Sequence, residues 1–79
     1  MDAQRIKTLI EQALPDAQVE VRGDDGRHFE ALVCSPAFAG KNQVARHRMV
    51  YAALGEHMAE AIHALSLRTE APGESGPRT

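Results

Sequence analysis

Apolar side chains recur at Ile6, Leu9, Ile10, Ala13 and Leu14, the i, i+3, i+4 spacing of an amphipathic helix. Asp2 stands where an N-cap carboxylate accepts the first free backbone N–H groups. Pro15 ends the helix, because the residue before a proline is pushed out of the helical region. Gln18 to Arg22 then alternates, with Val19 and Val21 on one face and Gln18, Glu20 and Arg22 on the other. That pattern predicts a half-buried strand. Gly23-Asp24-Asp25-Gly26 consists of turn-forming residues. The next run, His28 to Ser35, sets Phe29, Ala31 and Val33 on one face and Leu32 and Cys34 on the other. A strand apolar on both faces belongs in the middle of a sheet. The two strands are predicted to pair as an antiparallel hairpin.

Pro36 to Gly40 breaks the pattern and reads as a loop. A helical pattern returns from Asn42 to Glu60, with a stripe of Val44, Tyr51, Leu54 and Met58 widened by Met49, Val50 and Ala53. Ile62 to Thr69 reads as a third strand, in which Leu65 and Leu67 share a face. The order is α-β-β-α-β in one domain over residues 1–69. Residues 70–79 are rich in Gly, Pro and polar residues and read as a disordered tail. A long helical connection makes the second and third strands parallel. His28 and His63 then open their strands at the same end of the sheet. Neighbouring strands lie about 4.8 Å apart, so two imidazoles at that end can reach one ligand. By alternation His63 is in phase with Leu65 and Leu67, which also makes it a candidate core-edge residue.

Composition narrows the chemistry. With 79 residues, a formal charge of −2 and one cysteine, the chain has neither an internal disulfide nor a thiolate cage of its own. It is expected to be reduced, soluble and cytoplasmic, with no run approaching the roughly 20 apolar residues of a membrane span. Two imidazoles do not close a four-ligand metal site. Cys34 stands six residues from His28, about 20 Å along an extended chain, so it does not complete the set. An incomplete site shared with a partner that brings thiolates is physically better than an internal zinc site. Ser35 and Ser66 lack a neighbouring base at a recognisable spacing, and no enzymatic activity is expected. His47 and His57 suit a helix surface, His57 especially so near a helix C-terminus. Between Glu30 and Glu56 there is no acidic residue, while Lys41, Arg46 and Arg48 bring three positive charges and His47 lies among them. This segment fits a phosphate backbone, an acidic partner, or simply a solvated helix face. Gly40-Lys41-Asn42-Gln43 stands where a KH module carries its Gly-X-X-Gly clamp, with the second glycine missing.

The segment from Phe38 to Leu54, with its Phe-X-Gly and Arg-His-Arg-X-Val-Tyr patterns, followed by Ile62-His63-Ala64-Leu65, resembles the BolA-like family. Gly23 to Phe29 is similar to its IbaG-like branch. The likeness runs from about Leu9 to Thr69. It implies an α+β, class II KH-like α-β-β-α-β fold: a three-stranded mixed sheet with helices packed on one face. It also implies a monothiol glutaredoxin as partner and a two-iron two-sulfur (2Fe-2S) cluster shared with glutaredoxin and glutathione, absent from the isolated chain. The family histidine corresponds to His63, and the ligand from the loop between the first two strands corresponds to His28, with Arg27 where the family has a small residue. Alone, the chain is expected to be a monomer or weak homodimer. The alternative function that the resemblance implies is DNA-binding transcriptional regulation in stress, through Lys41, Arg46 and Arg48. The family's C-terminal Thr-Pro-X-Glu-Trp helix is replaced by Thr69-Glu70-Ala71-Pro72-Gly73-Glu74.

Overall fold

The computed structural model describes residues 2–23, 28–57 and 65–73. Its elements follow in the order α1 (Ala3–Ala13), β1 (Gln18–Arg22), β2 (Phe29–Cys34), α2 (Gln43–Leu54) and β3 (Leu65–Glu70), with 3-10 turns at Pro36–Phe38 and Gly55–His57. Asp2 starts α1 as expected, its Oδ1 accepting the Arg5 N–H at 2.8 Å. Ile6 and Ile10 are fully buried on the inner face. The sheet order is β1-β2-β3. β1 pairs antiparallel with β2, Val19 opposite Val33. β2 pairs parallel with β3, Phe29 opposite Leu65 and Cys34 opposite Glu70. The central position of β2 and the parallel crossover therefore stand as the pattern predicted. Asp24 to Gly26, the rest of the expected turn, lie outside the described residues.

One cluster forms the core: Ile6, Ile10, Val19, Phe29, Val33, Phe38, Val50, Leu54 and Ala71. Each fully buried aliphatic or aromatic side chain here stabilises the fold by about 1.5–3 kcal/mol relative to exposure. Both helices contribute to this cluster from the same side of the sheet. The other side carries Gln18, Glu20, Arg22 and Glu30, all exposed.

Four expectations are corrected. Phe38, placed in a loop, is fully buried. Ser35 caps a 3-10 turn by accepting the Ala37 N–H on its Oγ at 3.1 Å, and that turn drives the ring inward. α2 stops at Leu54, because Gly55 takes φ +57° and ψ −132°, a conformation for which glycine is suited, and its N–H closes on the Tyr51 carbonyl. Met58 and residues 59–60 lie outside the described residues. The buried face of α2 is Arg46, Val50 and Leu54, while Val44 is 61% and Tyr51 37% exposed. Lastly, the expected tail begins too early. Glu70 belongs to β3, its carbonyl accepts the Ser35 N–H at 3.0 Å, and Ala71 is buried in the core. Pairing with the whole length of β2 and one more apolar contact hold this stretch in place. Residues 74–79 lie outside the described residues.

Candidate functional site

Two regions carry the candidate chemistry. The first is the sheet end where β2 and β3 begin. Their parallel register, Phe29 opposite Leu65, brings both strand starts to that end. His28, exposed, immediately precedes Phe29 and lies just outside the strand in which it was expected. His63, two residues ahead of Leu65 in the sequence, lies outside the described residues. Cys34 is half-buried at the opposite end of β2, beside Glu70 of β3 and Gln18 of β1. It is therefore separated from His28 by the length of the strand. Among the described residues no group of three or more His, Cys, Asp and Glu side chains is placed to hold a metal ion. His28 is an exposed imidazole at this end of the sheet.

The second region is the basic segment at the start of α2. Asn42 caps the helix, accepting the Ala45 N–H on Oδ1 at 2.9 Å. Lys41 and Arg48 are exposed, and His47 is half-buried. Arg46 departs from the expectation of a nucleic-acid contact. It is 4% exposed, its Nε–H donates to the Phe38 carbonyl at 3.1 Å, and its guanidinium carbon lies 5.9 Å from the Phe38 ring centroid. The physical cause is its phase: Arg46 stands one and two turns ahead of Val50 and Leu54, so the helix turns it toward the core. A charge is tolerated there because the guanidinium finds a carbonyl and an aromatic face. The shared phase of Arg46, Val50 and Leu54 is visible in the sequence, but it marks Arg46 as inward only once the packing shows which side of α2 is buried.

The Gly-X-X-Gly comparison also resolves. Gly40 has φ +80°, but Gln43, at the place of the second glycine, accepts a hydrogen bond from Thr69 Oγ1 at 2.7 Å. Its side chain ties α2 to β3 where a backbone clamp would need open space. The sequence pattern missed Val44 and Tyr51 as surface residues. Their spacing is as helical as that of Val50 and Leu54, and only the packing separates the two pairs. Among the described residues no helix is long and apolar enough to cross a membrane.

The comparisons with known proteins agree with the fold. The BolA family, described as BolA-like protein, matches residues 6–74. BolA-like protein 1 of Pongo abelii is 35% identical over 80 residues, covering 90% of this chain and 58% of that protein. The chain therefore spans less than two thirds of the length of that relative. The acid stress protein IbaG of Escherichia coli (strain K12) is 33% identical over 75 residues, covering 94% of this chain and 88% of the relative. A solved structure of a BolA protein homologue from Coxiella burnetii is 48% identical, with a TM-score of 0.77 over 91% of this chain and 92% of the other. With the family pattern matched across both helices and all three strands, the chain belongs to the BolA-like protein family.

Proposed function

We propose that this chain is a non-enzymatic adaptor that pairs with a monothiol glutaredoxin and shares a 2Fe-2S cluster with it, in cluster assembly, trafficking or iron sensing. His63, with His28, would hold the cluster from this side, and thiolates of glutaredoxin and glutathione from the other. The observation that carries this reading is the parallel β2–β3 register, which brings the starts of β2 and β3 to one end of the sheet. His28 stands just ahead of β2, and His63 two residues before Leu65 in the sequence. The exposed position of His28 suits a ligand donated outward to a partner. When bound, a cluster with imidazole in place of thiolate carries less negative charge and a higher reduction potential. This chain's own part would be to offer imidazole ligands and to bind the partner. The name of the Escherichia coli relative places that protein in acid stress, which supports a stress-related role here.

The test is reconstitution of the protein with a monothiol glutaredoxin, iron, sulfide and glutathione, followed by visible absorption and circular dichroism. His63→Ala is expected to change or abolish the mixed-complex spectrum, and His28→Ala to shift it. A spectrum untouched by His63→Ala overturns the proposal. DNA-binding regulation ranks lower, because burial of Arg46 leaves Lys41 and Arg48 as the exposed cations of the basic segment.

A further inference from the structure

α2 carries apolar side chains on two faces, about 90° apart around the axis at 3.6 residues per turn. Its inner side, Val50 and Leu54, is spent on the core. Its outer side carries Val44 and Tyr51, the two large apolar residues most exposed among those described. Seven residues apart, they stand on one face about 10 Å from each other along the axis. Arg48 lies between them, exposed, with Lys41 just ahead of the helix. His47 meets the Tyr51 ring edge-on, centroids 6.0 Å apart and planes at 73°, so the ring is braced before anything arrives. A solvated helix face gains nothing from Val44 and Tyr51. The positive charge of Lys41, just ahead of the helix N-terminus, opposes its dipole. Neither feature helps this fold, and both help a complementary surface.

We propose that the outer face of α2 is a docking surface for an acidic protein segment with apolar anchors. Leucine-type side chains of that segment would cover Val44 and Tyr51, and its carboxylates would meet Lys41 and Arg48. Charge complementarity selects the occupant: the twelve residues of α2 contain no acidic side chain, although the whole chain has a net charge of −2. The exposed apolar pair favours a protein segment over a phosphate backbone, which offers nothing to Val44. Tyr and Arg are the residue types enriched where interface energy concentrates. This surface needs no iron and does not rest on the histidine rim.

The chain has one tyrosine and no tryptophan, so tyrosine fluorescence reports Tyr51 alone. The protein, without iron, sulfide or glutaredoxin, is titrated with a 14-residue peptide of leucines at one-turn and two-turn spacing and glutamates elsewhere. Control arms replace Leu by Ser or Glu by Lys, and a further arm uses a 20-base-pair duplex. Amide resonances locate the contact. The acidic peptide is expected to change Tyr51 emission and to shift amides between Val44 and Tyr51. Val44→Ser should weaken it at least tenfold and Arg48→Glu likewise, with both variants keeping the parent Tm. The Lys and Ser peptides should bind at least tenfold more weakly. Failure of the acidic peptide to bind, equal binding of the Lys peptide, or indifference to Val44→Ser overturns the proposal. A duplex that displaces the peptide and ignores Val44→Ser assigns the face to nucleic acid instead. None of these outcomes depends on the cluster spectrum, so the two proposals fail separately.

Discussion

Arg46 offers the sharpest test of the structural account, because the two uses of this residue predict opposite results. As a surface cation, Arg46→Ala would alter ligand binding and leave stability alone. As a buried brace, it would do the reverse. A hydrogen bond from a charged donor is worth about 1.5–3 kcal/mol. A guanidinium near the limit of its range over an aromatic ring adds about 0.5–1 kcal/mol. Truncating the buried stem loses about 1 kcal/mol of packing. Relief of the desolvated charge offsets part of this. The Phe38 carbonyl is not orphaned, since it also accepts the Lys41 N–H at 3.0 Å. The net loss works out at about 2–3 kcal/mol. A chain of this length holds about 4–12 kcal/mol in all, so Tm should fall by about 10–20 °C. Urea and thermal unfolding followed by circular dichroism measure this, with Arg48→Ala as the exposed control, expected within about 0.5 kcal/mol of the parent. Arg46→Lys should recover only part of the loss, because an ammonium cannot reproduce the planar contact. If Arg46→Ala costs no more than Arg48→Ala, the brace does not exist and the residue is available to a partner.

Two further outcomes follow from the same packing. A methyl group added at Gly23 would run into Cδ1 of the buried Phe29 ring and lie 2.7 Å from its Cε1. Gly23→Ala is therefore expected to destabilise by about 1–3 kcal/mol, and an unchanged urea midpoint would refute that close approach. For duplex DNA, two exposed cations in the α2 segment allow a salt slope of at most about −1.8 from this region. Anisotropy titrations at two salt concentrations should show that contribution disappearing in the Lys41→Ala, Arg48→Ala double variant, and a larger drop in slope would contradict the two-cation count.

Much of the fold was legible along the chain. Asp2 and Pro15 bracket α1, and the Gln18 to Arg22 alternation matches β1 at both ends. The two-sided apolarity of β2 foretold its central place. The parallel β2–β3 pair followed from the length of the connection, since a crossover that long cannot close a hairpin. Of the candidate rim, the β2–β3 register is observed and His28 stands exposed just ahead of β2, while His63 lies outside the described residues. The role of His63 rests on the reconstitution experiment.

These successes share a cause. Caps, prolines and strand alternation act over a few neighbouring residues, so the sequence by itself determined the elements, their order and the sense of their pairing. Tertiary structure decided which side of α2 is buried, because Val44 and Tyr51 compete with Val50 and Leu54 on equal local terms, and only the position of the sheet breaks the tie. It also decided that Phe38 leaves its loop for the core, that Arg46 follows it there, and that Glu70 and Ala71 join the fold. Each of those outcomes is set by space and partners supplied from distant parts of the chain, and a local pattern holds no record of either.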